Sequence, residues 1–184
     1  MRRGYAGSGG TWVEGYGPCA NPVYHEVGLE TARDIRAGVE FIRDRPDVDG
    51  QRIVLIGHSA GAHGALALAS ANIPGLAGVI NFAGGRGGDP SGHCASDRLV
   101  ATMARWAGTT AVPTLWIYAE NDDVFAPPLV RRMHAAYVQA GGQAELHVLP
   151  PSGPNGHLFF NRGGATSQWG PHVRAFLARI GLPS

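Results

Sequence analysis

The chain has 184 residues, of which 44% are hydrophobic and 16% charged, with a formal net charge of +1 at pH 7. That length is one domain, expected over residues 1–184, with material for a sizeable core, and the low charge excludes a disordered chain. The near-neutral balance leaves no footprint for nucleic acid or an anionic membrane surface, and no apolar run approaches the ~20 residues of a membrane span.

From the N-terminus, Met1-Arg2-Arg3 runs into the glycine-rich stretch 4–10, with no apolar segment. The opening therefore reads neither as a signal peptide nor as a first strand. A domain rarely opens on a glycine loop, so the chain is expected to begin partway through a larger fold. A helical pattern starts near Tyr24. Ala32, Ile35, Val39 and Ile42 recur at spacings of three and four, while Glu30, Arg33, Arg36, Glu40 and Arg43 take the other face. Pro46 and Asp49-Gly50 end it.

Arg52 to Gly57 is a short β-branched run, read as a buried parallel strand. Ala60 to Ser70 is Ala/Leu-rich and helical, and Leu76 to Phe82 reads as a strand. Ser96 to Trp106 is a Ser-capped helix with Leu99, Val100, Met103 and Trp106 on its apolar face. Val112 to Ala119 is a strand, and Pro128 to Ala140 a helix stopped by Gly141-Gly142. Glu145 to Leu149 is a strand, and Pro171 to Ile180 a closing helix with Val173, Phe176, Leu177 and Ile180 inward. Strands alternating with helices predict the α/β class, a parallel sheet flanked by helices. The longest loops, 83–95 and 150–167, follow carboxyl ends of strands, where ligands bind in open α/β sheets.

The side chains available for chemistry are few in kind. All 15 Lys or Arg positions are Arg, which excludes Schiff-base chemistry, Ser-Lys dyads and the phosphate-loop lysine. Two Cys cannot build a four-cysteine zinc site. Gly57-His58-Ser59-Ala60-Gly61 is the one Gly-x-Ser-x-Gly pentapeptide. In so glycine-rich a chain a chance match has odds of about one in five, so the pentapeptide alone is weak. Its setting is stronger: a β-branched strand enters it and an Ala-rich helix leaves it, as a nucleophile elbow requires. The flanking glycines are expected where neighbouring backbone approaches too closely for a Cβ.

On these residues the sequence resembles the α/β-hydrolases, nearest to the dienelactone hydrolase-like and prolyl-oligopeptidase-like branches. The resemblance rests on Gly57–Gly61, on Ala119-Glu120-Asn121-Asp122 and on Asn155-Gly156-His157, in the order nucleophile, acid, His. Arg3-Gly4-Tyr5-Ala6-Gly7-Ser8 also resembles the family's loop before the helix that precedes the elbow. The resemblance implies an α/β-hydrolase fold lacking its N-terminal strands, with Met1 an internal methionine or the gene a fragment. It also leaves the nucleophile strand at an unpaired edge of the sheet.

It further implies Ser59 as nucleophile, His157 as base, Asp122 as orienting acid and the Ala60 N–H as one oxyanion donor. Asp123 is the rival acid and Glu120 a weaker third. Ala119 stands where the family carries Gly, and no His-Gly-Gly stretch precedes the elbow to supply a second donor. Of the other His, His147 is expected to be packed in a strand, His25 and His134 to lie on helices, and His93 and His172 to be solvated. His58 and His63 flank the elbow. Tyr5, His58, Arg86, Phe125 and Trp12 are candidate pocket residues.

Cys19 and Cys94 fall on one rim of such a sheet, either as a disulfide in an exported protein or as two thiols in a cytosolic one. The expected activity is hydrolysis of a small carboxylic ester without cofactor or metal. The alternatives are an exopeptidase of the prolyl-oligopeptidase kind and a non-catalytic binding protein of this fold. The sequence fixes neither the substrate nor the oligomeric state.

Overall fold

The computed structural model describes residues 2–89 and 92–183. In chain order the elements are α1 (Tyr24–Arg43), β1 (Ile53–His58), α2 (Ala60–Ala69), β2 (Leu76–Phe82), β3 (Gly88–Asp89), β4 (Gly92–His93), α3 (Ser96–Ala107), β5 (Thr114–Ala119), α4 (Pro127–Gln139), β6 (Ala144–Leu149) and α5 (Thr166–Arg179). A 3-10 turn, Gly156–Asn161, lies between β6 and α5.

The long strands make one parallel sheet in the order β1-β2-β5-β6. Register follows the apolar runs: Ile56 pairs with Ile80, Phe82 with Ile117, and Ile117 with His147. Every residue of β5 is buried, and all but Ala77 of β2, as expected of central parallel strands. Strand β1 lies at an edge, and Ile56 on it is exposed. Helix α2 packs on β1 and β2. Phe176 of α5 and Ile180, just past its end, lie against Gly78, where a Cβ would meet them at 3.0 and 3.2 Å. One core joins these layers, with Leu66, Ile80, Trp106, Leu115, Trp116 and Phe176 all but inaccessible.

The α/β class and its four long strands match the reading of the sequence, but several details differ. The α1 stripe buries Val27, Thr31, Ala32 and Val39 and leaves Ile42, next to the helix end, exposed. Ser96 is the first residue of α3 and makes no capping bond; Ala95, at φ 41°, precedes it. Helix α5 begins at Thr166 and carries Pro171 inside it. Pro171 lies beyond the first turn, so its missing N–H forgoes one intrahelical bond, whereas the sequence pattern treats it as a start. Val173, Leu177 and Ile180 are only partly buried. The antiparallel β3–β4 pair and the 3-10 turn interrupt segments read as plain loops. Residues 90 and 91 of the 83–95 loop, and Met1, lie outside the described residues.

Cys19 and Cys94 form a disulfide that ties the segment before α1 to the segment before α3. The Tyr24 hydroxyl beside it donates to the Cys94 carbonyl at 2.5 Å. Among the described residues no helix is long and apolar enough to cross a membrane.

Candidate active site

Three loops at the carboxyl ends of β1, β5 and β6 converge. The first carries Ser59 in a turn so tight that a non-glycine residue takes φ 53°, ψ −123°. Such a conformation is costly and persists only where its surroundings hold it. Here the Ser59 N–H donates to the Phe82 carbonyl at 3.0 Å, and its carbonyl accepts from the His63 N–H at 3.1 Å. At Gly57 an added Cβ would lie 2.5 Å from the backbone of Ala62, so the glycine is required. At Gly61 a Cβ would meet nothing within 4 Å, and the expected crowding is absent on that side.

Asp122 follows β5 and is 3% exposed. Its Oδ1 accepts from the backbone N–H groups of Val124 and Phe125, at 2.9 and 2.8 Å. Those two bonds turn Oδ2 toward His157, whose Nδ1 lies 3.3 Å away. Asp123 and Glu120 are exposed. The His157 side of the site is built from two asparagines. Asn155 Oδ1 accepts from the His157 N–H at 2.7 Å, and the Asn121 carbonyl accepts from the Gly156 N–H at 3.0 Å. A Cβ at Gly156 would come within 2.5 Å of Asn121 Oδ1 and 2.8 Å of Ala119 Cβ, so the turn lies directly on the end of β5.

His157, 9% exposed, then presents Nε2 to Ser59 Oγ at 3.0 Å. With Nδ1–H donated to Asp122, Nε2 is the acceptor for the Ser59 hydroxyl. Ala60 begins α2, where the backbone N–H groups have no i−4 carbonyl and the helix end favours negative charge. The arrangement can deprotonate a hydroxyl, hold the resulting imidazolium against a carboxylate, and offer an N–H to a developing oxyanion.

The walls are aromatic. Phe125 is buried with its ring 5.5 Å from that of His157. His58 stands 5.1 Å from the same ring on another side and stacks on Phe160, which in turn packs against Phe82 and Trp169. The sequence reading does not name Phe160, which falls in the 150–167 loop, or Trp169, which falls between that loop and the closing helix. Burial pushes the His58 imidazole below its ordinary value, more strongly than the backbone bond to His157 pulls it up.

The other candidates make different contacts. The polar contacts of Tyr5 and Arg86 converge on Glu14, and among the described residues none reaches Ser59, Asp122 or His157. Trp12 is 55% exposed. His63 is wholly buried against Trp106, and His93 is not the solvated residue expected: its ring nitrogens are inaccessible and its ring lies against Tyr24 and Phe125. His25 accepts from the Trp106 indole, His134 bonds the Ala144 carbonyl, and His147 bonds Glu145. His147 also stacks on His172, so both are partly buried. Among the described residues no group of three His, Cys, Asp or Glu side chains could hold a metal.

The model of the dienelactone hydrolase family matches residues 18–173. No curated protein matches the chain. Among solved structures, an esterase of Pyrococcus furiosus superposes with a TM-score of 0.62 at 16% identity, covering 96% of this chain and 68% of its own. An esterase of Thermogutta terrifontis, solved with propionate bound, gives 0.56 at 20% identity over 88% of this chain and 67% of its own. A puromycin-hydrolyzing peptidase of Mycobacterium tuberculosis gives 0.55 at 20% identity over 83% of this chain but 25% of its own. At such identities the likeness is one of fold. The chain spans 61% of the Pyrococcus esterase in a second crystal form and 65% of a dienelactone hydrolase-type structure from Klebsiella pneumoniae.

Proposed function

The chain belongs to the dienelactone hydrolase family, and from the three converging loops we propose that it is a serine hydrolase cleaving carboxylic esters. Ser59, His157 and Asp122 are the proposed triad. The observation that carries the reading is the continuous bonded line from Ser59 Oγ through His157 to the buried Asp122 carboxylate, at 3.0 and 3.3 Å.

In the proposed reaction Ser59 Oγ attacks the ester carbonyl carbon as its proton passes to His157 Nε2. The carbonyl oxygen becomes an oxyanion and accepts from the Ala60 N–H, while Asp122 stabilises the imidazolium without itself taking a proton. Collapse expels the alcohol, which takes the proton from His157 and leaves an acyl-Ser59 ester. Water, deprotonated by His157, attacks that ester, and the same sequence releases the acid and restores Ser59. The strained elbow fixes Oγ before substrate arrives, so little reorganisation accompanies attack.

The test is hydrolysis of p-nitrophenyl acetate by the purified chain against Ser59→Ala. Loss of roughly 10³-fold or more in kcat, with unchanged circular dichroism, is the expected result. Turnover that survives the substitution removes Ser59 from the chemistry. Turnover of an aminoacyl p-nitroanilide in preference to the ester would replace the ester reading with the exopeptidase one.

A further inference from the structure

His157 owes its place to a short 3-10 turn, a form with poorer hydrogen-bond geometry than an α-helix. Asn155 and Asn121 fix where that turn begins. Neither of those bonds engages the His157 carbonyl, and a base must sit within a fraction of an ångström of its partner to act. What holds that carbonyl comes from the strand that carries the nucleophile.

His58 is the last residue of β1. Strand alternation turns it away from α2, opposite to Gly57, and toward the 3-10 turn. Its Nε2 lies 2.7 Å from the carbonyl oxygen of His157, across 99 positions of sequence. A carbonyl oxygen only accepts, so Nε2 carries the hydrogen and donates. The ring is held in that pose by Phe160, 5.8 Å away and inclined by 22°. A second consequence is electrical. The proposed reaction puts a positive charge on His157, and another imidazolium with its ring 5.1 Å away would oppose that charge. A neutral His58 donates the same bond without that repulsion.

We propose that His58 is a positioning residue for the base: its Nε2–H holds the His157 carbonyl, and with it the imidazole, in register with Ser59. The proposal rests on the Ser59–His157–Asp122 reading. It gives the residue before the nucleophile a role that neither the Gly-x-Ser-x-Gly spacing nor its place on a pocket wall contains.

Two substitutions separate the hydrogen bond from the packing. His58→Phe keeps a ring against Phe160 and removes the donor. His58→Gln keeps an N–H donor at similar reach and removes the ring. Each is measured twice, by Ser59-dependent ester turnover and by the downfield proton resonance of His157 Nδ1–H in histidine-labelled protein, which needs no substrate.

The expected result is a roughly 10- to 100-fold fall in kcat for His58→Phe with KM within about twofold, and a lost or broadened resonance. His58→Gln should recover most of both. A His58→Phe protein that keeps its kcat and its resonance overturns the proposal. So does a His58→Gln protein as impaired as His58→Phe, since packing would then be the whole effect. A wild-type chain with neither the resonance nor Ser59-dependent turnover fails at the triad instead, and this proposal falls with it.

Discussion

Among the described residues two carboxylates lie almost out of water, Asp122 at 3% exposure and Glu14 at 8%, and they are satisfied in opposite ways. Asp122 is held by backbone: two N–H groups occupy Oδ1, and the one side chain it faces is an imidazole. Glu14 is held by charge, with the guanidinium groups of Arg2 and Arg86 and the Tyr5 hydroxyl around it. The first arrangement leaves one carboxylate oxygen facing an imidazole, and in the proposed reaction its partner is the proton that arrives on His157. The second is closed, because the cations are already present. A buried carboxylate faced by neutral donors keeps an uncompensated charge, whereas one paired with permanent cations is already neutralised.

The largest effect that would test this contrast is Asp122→Asn. It preserves shape but lets the amide impose the wrong hydrogen on His157 Nδ1, and kcat should fall by about 10⁴-fold, as when a triad acid becomes an amide. Asp123→Asn, on an exposed side chain one position along, should change kcat by less than about threefold. Steady-state kinetics on the two variants decides between them, and the reverse ranking would move the acid to Asp123.

Arg86→Met applies the converse test to the closed cluster. It breaks the pair with Glu14 at 3.4 Å and the bond to Thr31 Oγ1 at 3.1 Å. Arg2 still faces the carboxylate, so the loss belongs at the low end for a broken buried pair, about 3 kcal/mol. At about 2–4 °C per kcal/mol for a chain of this size, the melting temperature should drop by roughly 10 °C while kcat at 25 °C stays within about twofold. An unchanged melting temperature with a fallen kcat/KM would return Arg86 to the pocket wall.

The same contrast explains what could be read from sequence. The three residues proposed as a triad stand out in the sequence because each sits in a local pattern: Ser59 between a β-branched strand and an Ala-rich helix, His157 behind an Asn-Gly pair, Asp122 just past a strand. Close approach at Gly57 and Gly156 reinforces those patterns with sterics that a glycine declares openly. The Glu14 cluster has no such signature. Its members are joined across 72 positions by side chains that look, one at a time, like solvated surface charges. Nothing in the sequence around Tyr5 or Arg86 points to Glu14 as their shared partner. His93 read as solvated because nothing in a Gly-rich loop announces that Tyr24 and Phe125 will close over it. Gly61 erred the other way: a motif glycine invites a steric explanation, and here the space beside it is open.

The smallest effect lies at the flank of the closed cluster, in His63. Its ring is wholly buried with both nitrogens unpartnered, edge-on to Trp106 at 4.7 Å. Burial pushes its imidazole well below the ordinary value, and the charge of Arg86 and the nearness of His25 push the same way. The unfolded chain takes up a proton on this residue below about pH 6.5, and the folded chain does so only at lower pH. Stability from a neutral His63 is therefore complete above about pH 6.5 and declines as pH falls from there toward the folded value. Over that window His63 alone contributes a slope of up to about 1.4 kcal/mol per pH unit. His63→Phe, which keeps a ring against Trp106 and cannot titrate, should flatten the acid limb by at most that amount in urea titrations at pH 7, 6 and 5. The difference in slope is the diagnostic, since a shape mismatch would offset all three points equally. An unchanged slope would mean that His63 gains a proton within the folded protein, and the region around Glu14 would then be less closed to charge than its ion pairs imply.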